Sequence, residues 1–443
     1  MSTPGPLASE FPVFTEVEWR AALGRMRRTT ASPAGESAMV YPRRARAHAL
    51  VGRPEAAPWQ IVQRVDAGDG PSAAAAITAD IEGGASGADI SFAGSLHPLA
   101  ERLPAAAGAA IAKALMAIPN RFQIRIDGSD PAIESIFIDV AAKRRAELVL
   151  AYDPIAALAI RGTGVVDAER MKASVTAFDA KRIAGTVVIA DGRLWNAGGA
   201  TDEQELAAAL ATFVALLRLL DAPERIGVAL AADADQFRTI AKFRAIRLLL
   251  ARVGEVAGLT LSPGIHAETA WRMMSARDPH MNMLRATSAA FAAAVGGANS
   301  ITVLPFDALN STRESHGRRL ARNTQMILAE EAHLFRVADP AAGSGAIEAL
   351  TDTLAESAWK AFQAIERTGG IVAAIAEGSL LRDVAAAREA RIARAVSGET
   401  RIVGVNAYAE AEPAPARSRR VPAGPTPRLS FKRVAEVFEA PAS

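Results

Sequence analysis

The 443-residue sequence contains no cysteine. This absence excludes disulfide bonds, thiolate metal ligands and cysteine nucleophiles, and it is typical of a protein of the reducing cytoplasm. No stretch reaches about 18 apolar residues without a charge, and the N-terminus lacks the basic and apolar regions of a signal peptide. We therefore expect a cytoplasmic protein with neither an export signal nor a membrane-spanning segment.

The sequence also lacks a large excess of charge of one sign. The 50 lysines and arginines face 48 aspartates and glutamates, which leaves a formal net charge of +2. So small an excess is not typical of a nucleic-acid-binding protein. We expect a protein or small-molecule partner, with no nucleic acid and no membrane.

Several catalytic and nucleotide-binding motifs do not occur. The sequence has no Gly-Lys dipeptide for a P-loop, no Gly-x-Ser-x-Gly for a nucleophile elbow and no His-x-His or His-Glu-x-x-His metal spacing. With only six histidines, imidazole chemistry has few candidates. The sequence therefore assigns no catalytic, cofactor-binding or metal-ligating residue.

What the sequence does contain is a series of short runs of branched and aromatic residues separated by alanine-rich helical stretches. Eight runs predict strands, at residues 88–92, 122–126, 147–150, 186–189, 226–230, 259–261, 301–304 and 335–337. Their starts lie roughly 25 to 42 residues apart, which leaves room for a strand, a helix and two short loops. Residues 201–220 and 235–253 have the spacing of packing helices. Eight such units predict an α/β fold, a closed (β/α)8 TIM barrel rather than an open doubly wound sheet.

The predicted domains follow from this count. Residues 1–83 form an N-terminal arm and subunit-contact segment, and residues 84–408 form the barrel. Residues 409–443 combine a flexible Pro/Arg-rich linker with a short terminal helix, which is too short to stand alone and should dock on another surface.

Polar residues follow the predicted strands, where barrel enzymes place their chemistry. They are His97, Asp127, Asp130, Asp153, Asp191, Arg193, Asp233, Asp235, His266, Glu268, Asp307 and Asp339. Acids and histidines at strand ends would fit a metal-dependent hydrolase, but aspartate after a strand usually caps the next helix or forms a turn. The second interpretation is favoured. The strands are apolar at inward and outward positions alike, which predicts a barrel filled by large branched side chains.

Six segments of the sequence are more informative about function than these patterns. Residues 59–66, 80–85, 277–307, 318–348, 366–371 and 404–408 resemble the small (β) subunits of methylmalonyl-CoA mutase. The resemblance covers roughly residues 40 to 408. It implies an acyl-CoA mutase barrel. In that family, active subunits interconvert methylmalonyl-CoA and succinyl-CoA with adenosylcobalamin held in a C-terminal domain, and several enzymes pair a catalytic large (α) subunit with a non-catalytic small one.

The resemblance also marks departures from active subunits. Those subunits read Gly-Tyr-His-Met-Gln-Glu-Ala-Gly where this chain places Arg193 and Leu194 at the Tyr-His positions. They resemble Arg-Thr-His-Ser-Gln-Thr where this chain keeps His266 but carries Glu268. A carboxylate there would repel an anionic acyl-CoA, so His266 is predicted to be a structural histidine. Asp278 and His280 form part of a cobalamin-type Asp-x-His-x-x-Gly motif that lacks its glycine, and we predict a helix start.

These departures imply a non-catalytic small subunit that stabilises a heterodimeric adenosylcobalamin-dependent mutase and is itself inactive. Because the sequence ends at residue 443, where family subunits continue into a cobalamin-type domain, we expect this chain to bind no cofactor and the large subunit to hold the adenosylcobalamin. Two alternatives remain open. The chain could be the substrate-binding half of a split acyl-CoA mutase, or a scaffold that has left the mutase complex.

Overall fold

The computed structural model describes residues 15, 17–19, 21, 49–54, 57–65, 67–99, 102–118, 122–128, 130–162, 166–309, 315–409 and 428–439. Most of the predicted N-terminal arm and residues 410–427 of the predicted flexible linker lie outside the described residues. In the part of the chain that is described, no helix is both long enough and apolar enough to cross a membrane.

Nine parallel strands form one sheet. They are β1 (Gln60–Val65), β2 (Gly87–Ser91), β3 (Gln123–Asp127), β4 (Glu147–Leu150), β5 (Gly185–Thr186), β6 (Val188–Asp191), β7 (Ile226–Ala232), β8 (Ile265–Thr269) and β9 (Ser300–Thr302). Their order is β5-β4-β3-β2-β1-β9-β8-β7-β6. The strands β5 and β6 are separated by Val187 alone, and one pairs with β4 while the other pairs with β7. They therefore share one strand position, and the sheet forms the predicted (β/α)8 barrel of eight positions.

Two of the eight predicted strands are wrong, and two real strands were missed. Residues 259–261 have no regular structure, and residues 334–336 form a 3-10 helix. The missed strands are β1 and β8, whose apolar runs are interrupted by polar side chains. Arg64, His266 and Glu268 face the barrel interior, whereas Gln63 donates to Arg318 O in the surrounding helices. Because β1 begins at Gln60, the barrel starts before residue 84, the predicted boundary.

Helices surround the strands. The α-helices are Gly70–Glu82, Ala107–Ala117, Pro131–Arg144, Pro154–Arg161, Ala168–Ala180, Gly192–Gly198, Asp202–Leu220, Gln236–Ala257, Met281–Val295, Ser315–Met326, Gly345–Arg367, Ile371–Glu377 and Ser379–Val396. Shorter 3-10 helices cover Pro223–Arg225, Trp271–Met273, Leu334–Arg336 and Val434–Phe438, and a π-helix covers Ile327–Glu331. The two helices predicted at 201–220 and 235–253 are confirmed, with Thr201 and Asp235 as N-caps.

Apolar side chains fill the layer between strands and helices. The larger cluster includes the fully buried Trp195, Phe213 and Phe243, and a second cluster packs around Phe137 and Phe178. Burying large side chains of this kind contributes about 1.5 to 3 kcal/mol each. This outer layer holds the strands in register and fixes the side chains that point into the barrel.

Candidate functional site

Charged side chains occupy the barrel interior. We call them the interior ion network: Arg64, Asp89, Arg125, Asp127, Asp191, Arg193 and Glu268. Each has a relative exposure of 6% or less. Strand pairing aligns Arg64 with Asp89, and Asp89 with Arg125. Since paired residues of parallel strands point to the same face, opposite charges alternate around this side of the barrel.

Glu268 lies at the centre of the network. Its Oε2 accepts hydrogen bonds from Arg193 Nη1 at 3.3 Å and from Arg64 Nη1 at 3.4 Å. Its Oε1 is hydrogen-bonded to His97 Nε2. These partners come from β1, from the loop after β2 and from the helix after β6. A single carboxylate on β8 therefore cross-links four positions of the barrel.

The surroundings of Glu268 determine its charge. Burial alone would raise the pKa of this carboxyl. The neighbouring His97 and Arg193 outweigh burial and hold that pKa well below its usual range. Glu268 is therefore a permanent anion at neutral pH and is a poor general acid.

His266 is neutral. Burial, together with the nearby Arg125 and Arg193, holds the pKa of His266 well below its usual range. Its Nδ1 lies 2.8 Å from the hydroxyl of Ser300 on the neighbouring strand. This cross-strand hydrogen bond fits the predicted structural histidine.

The residues Asp89, His266 and Glu268 bring one potential ligand atom each within 4.8 Å of one another, so we tested them as a metal site. Arg64 Nη1 lies 3.4 Å from Glu268 and 3.8 Å from Asp89, and Arg125 Nε lies 3.7 Å from Asp89. A divalent cation would have to share this space with two guanidinium groups, which repel it. The residues do not fit a metal centre.

Two small voids border the network in the described part of the chain. One void of about 10 Å³ is lined by His97, Arg193 and Trp271, and a second of the same size is lined by Asp127 and Asp153. Each holds at most one water molecule. Charged side chains, rather than the predicted large branched ones, occupy this end of the barrel.

A terminal segment, residues 428–439, lies across the C-terminal mouth of the barrel. The backbone N–H of Leu429 donates to Ala159 O at 3.1 Å, and that of Lys432 donates to Ala197 O at 3.3 Å. Leu429 is 2% exposed, and the ring of Phe431 meets Trp271 edge-on at 6.4 Å. The segment thus contacts the loops and helices that follow three strand positions.

The far end of the segment is attached to the loop after β8 by hydrogen bonds to Met274 and Ala276. Arg433 forms a fork with Glu439 through two 2.7 Å hydrogen bonds and also donates to Met274 O at 3.1 Å. Glu439 Oε1 accepts from the N–H of Ala276 at 2.8 Å. The predicted docking of the terminal helix therefore occurs on the chain's own barrel, and the helix is a 3-10 helix, Val434–Phe438.

Comparisons with known proteins show the family of the chain. The family model described as methylmalonyl-CoA mutase matches residues 140–439. The chain belongs to the methylmalonyl-CoA mutase family.

Among its relatives are proteins described as methylmalonyl-CoA mutase small subunits. The probable small subunit of Mycobacterium tuberculosis is 44% identical over 57% of this chain and 42% of the relative. Those of Streptomyces virginiae and Propionibacterium freudenreichii are each 36% identical, over 71% and 66% of this chain and 57% and 48% of the relatives. The chain spans about half the length of the curated relatives it matches. These findings confirm the resemblance found in the sequence.

Arg193 and Leu194, which the sequence resemblance matched to a Tyr-His pair, have structural contacts here. Arg193 forms a fork with Asp191, with Nε to Oδ1 at 2.9 Å and Nη2 to Oδ2 at 2.7 Å. Leu194 is 3% exposed and packs in the apolar core. Neither side chain can supply the phenol or imidazole of the family motif.

Four of the aspartates predicted at strand ends cap helices, as the favoured interpretation expects. Asp130, Asp153, Asp191 and Asp235 each accept a backbone N–H at a helix N-terminus. Caps of this kind satisfy N–H groups that have no partner inside the helix. His280 also fits its predicted place, because it precedes the helix Met281–Val295.

The other predicted residues are dispersed. Asp233 accepts from Arg272 Nε at 3.0 Å, and Asp339 pairs with Arg244 far from the network. Asp127 accepts from the hydroxyl of Ser95 at 2.6 Å and belongs to the network. The carboxylate of Asp307 packs against Gly317. From the predicted set, the structure therefore brings together His97, Asp127, Asp153, Asp191, Arg193, His266 and Glu268.

Sequence reasoning missed three members of the network, Arg64, Asp89 and Arg125. The available signal was a charge in the middle of an otherwise apolar strand, as in 88–92 and 122–126. A charge placed there must be buried on one face of the sheet, and buried charges need partners. Two such strands of opposite charge in succession would have predicted the pairing of Asp89 with Arg125.

Proposed function

We propose that this chain is a non-catalytic, stabilising subunit of a heterodimeric adenosylcobalamin-dependent methylmalonyl-CoA mutase, with the isomerisation carried out by a large subunit. The observation that carries the proposal is the cross-linking of the barrel interior through Glu268, beside which lie two voids of about 10 Å³ each. An acyl-CoA on the barrel axis would have to displace this network. Displacement would leave buried charges without partners, at a cost of several kcal/mol for each.

The contacts of Arg193 and Leu194 support the same conclusion. The guanidinium of Arg193 is held by Asp191 and Glu268, so it is not available for a substrate. The isobutyl group of Leu194 offers no acid, base or radical-stabilising group. The network therefore replaces catalytic side chains with structural ones at the positions where the family motif differs.

The residues at the barrel mouth do not fit a cobalamin. The terminal segment covers that face with Leu429 and Phe431, and the His280 ring stacks on Phe306 at 5.3 Å between centroids. We accordingly assign the cofactor to the large subunit. The absence of cysteine supports a cytoplasmic location for the complex.

The proposal is tested by co-expressing this chain with a methylmalonyl-CoA mutase large subunit, followed by size exclusion with light scattering and an isomerisation assay. We expect a one-to-one complex that is active, and no turnover by this chain alone with added adenosylcobalamin. The variant His266→Gln, which keeps a hydrogen-bonding group near Ser300, should leave the activity of the complex within about twofold of that of the matched surface variant Arg319→Gln.

Two results would contradict the proposal. Binding of methylmalonyl-CoA to this chain alone, abolished by Arg193→Lys, would favour the substrate-binding half of a split mutase. A stable monomer or homodimer that ignores the large subunit would favour an independent scaffold.

A further inference from the structure

A cleft of about 930 Å³ opens beside the barrel mouth, outside the interior ion network. It lies between the loops after β7 and β8, the helices Met281–Val295 and Ser379–Val396, and residues 400–403. Its volume falls within the range of about 300 to 1,000 Å³ that small-molecule sites occupy. The residues that line it are described throughout, and none of them belongs to the network.

Arginine dominates the lining of this cleft. Six arginines line it, against four carboxylates: Arg238, Arg272, Arg285, Arg391, Arg394 and Arg401. In a chain with a net charge of only +2, this excess of two positive charges in one concavity is a local concentration. Such a concavity focuses a positive potential on whatever enters it.

The carboxylates are already engaged by two of the arginines. Arg238 donates to Asp202 at 3.0 Å and to Glu203 at 2.9 Å. Arg272 donates to Asp233 at 3.0 Å. The fourth acid, Asp235, caps the helix Gln236–Ala257. In the described chain none of these acids forms an ion pair with the remaining four arginines, and Asp233 and Asp202 act on Arg391 only from a distance.

Two of those four arginines bond to backbone carbonyls instead. Arg391 donates to Gly199 O at 2.7 Å and to Ala200 O at 3.3 Å. Burial, together with the nearby Arg272, lowers the pKa of Arg391 to about 10. Arg285 donates to Val403 O. An anion in the cleft would supply the counter-charge that these positions lack.

The other two, Arg394 and Arg401, are exposed at the rim and form no ion pair with any residue of the described chain. Arg391 and Arg394 are three positions apart on one helix, so they lie on the same face. Their planar guanidinium groups match the oxygens of a phosphate better than an ammonium does. The cleft thus offers guanidinium groups from two chain segments, the helix Ser379–Val396 and residues 400–403.

One wall of the cleft is apolar. Met281, Leu284 and Ile402 line it, and Leu284 is 66% exposed. An inorganic anion would leave this wall in water, whereas a ligand with a ring or a chain would cover it. The cleft therefore combines a cationic end with an apolar surface.

We propose that this cleft binds a nucleotide-sized phosphate ester, with its phosphates on Arg391, Arg394 and Arg401 and its organic part on Leu284 and Ile402. The site is separate from the barrel axis. It does not depend on whether this chain is a catalytic or a structural subunit.

Calorimetric titration of the full chain with ADP tests the proposal, with adenosine and inorganic pyrophosphate as probes of the two halves. We expect ADP to bind with a Kd below about 1 mM, more tightly than either half, and more weakly as salt screens the arginines. The variant R394Q/R401Q should weaken ADP binding at least tenfold. The control R319Q/R367Q removes the same charge from exposed positions outside the cleft and should bind ADP as the unmodified chain does.

Three results would overturn the proposal. They are no heat with ADP at millimolar concentration, equal weakening in both double variants, and pyrophosphate binding that matches that of ADP. Since neither variant touches the interior ion network, complex formation with a large subunit should be unchanged in both. A loss of ADP binding and a failure of the proposed mutase partnership are therefore distinguishable.

Discussion

Replacing Glu268 with glutamine tests the role of the interior ion network most directly. The amide keeps the size of the side chain but loses its charge, and its NH₂ group cannot accept a hydrogen bond from an arginine. Arg193 would keep its fork to Asp191. With its oxygen facing His97, the amide would place NH₂ against Arg64 and Arg193, and both would lose their hydrogen bonds to Oε2.

The size of the effect follows from those contacts. A hydrogen bond to a charged group contributes about 1.5 to 3 kcal/mol, and the Arg64 contact is long at 3.4 Å. Two contacts of about 1.5 kcal/mol each give about 3 kcal/mol, the low end of the range for breaking a buried ion pair. We therefore expect Glu268→Gln to lower the free energy of unfolding by about 3 kcal/mol.

Urea denaturation measures this change, provided that the slope of the transition is unchanged by the mutation. The matched control is Glu366→Gln, which breaks the pair between Glu366 and the exposed Arg218, 2.7 Å apart, and should cost less than about 1 kcal/mol. If both variants lose the same small amount, Glu268 does not hold the barrel together and the argument for a filled, inactive barrel fails.

Three further predictions concern the terminal segment, acid stability and strand pairing. Leu429→Ala should release the terminal segment and speed its amide hydrogen exchange, which mass spectrometry measures. Val437→Ala, at a position that is 39% exposed, should not speed it. Equal exchange in both variants would contradict the docking. Burial would raise the pKa of Asp202, but Lys242 and its neighbours hold it well below its usual range. The contribution of ionised Asp202 to the free energy of unfolding is thus present above about pH 4 and is lost as the pH falls further. The loss of stability caused by Asp202→Asn should therefore shrink below about pH 4. A loss that stays constant with pH in denaturation experiments would refute this. Gly185→Ala would place a Cβ 1.9 Å from Leu148 O at a φ of +126°. It should lower the free energy of unfolding, measured by urea denaturation, by about 3 kcal/mol or more. Gly264→Ala, which has open space around it, should change that free energy little.

The barrel was predictable because its helices carry strong local signals. Capping residues and apolar spacing predicted the helices at 201–220 and 235–253, and the structure confirms them. The strands β1 and β8 were not predictable in this way. Polar residues interrupt both strands, with Arg64, His266 and Glu268 on the barrel side and Gln63 on the helix side of β1. Neither strand is therefore an apolar run, and pairing with distant strands decides its structure.

The candidate site was predictable only as a set of positions. The sequence placed Arg193, His266 and Glu268 near strand ends, but it predicted that Glu268 would act by repelling a ligand. The structure shows that the negative charge of Glu268 is balanced by ion pairs with Arg64 and Arg193. These partners lie 204 and 75 residues away along the chain, so no local pattern could have revealed them.

The composition of the barrel interior bears on how such a subunit arose. A buried ion network is seldom more stable than well-packed apolar side chains of the same volume, because each charge must be removed from water. A barrel shaped only by the need for stability would therefore fill its axis with branched residues, as the strands led us to predict. The presence of Arg64, Asp89 and Arg125 instead fits an origin in a barrel whose interior met a polar ligand, followed by changes such as Glu268 that gave Arg64 a partner. In the described chain both carboxylate oxygens of Asp89 still lack a hydrogen bond. If the barrel has this origin, replacing only one ion should always destabilise the chain, whereas replacing the whole network with apolar residues need not.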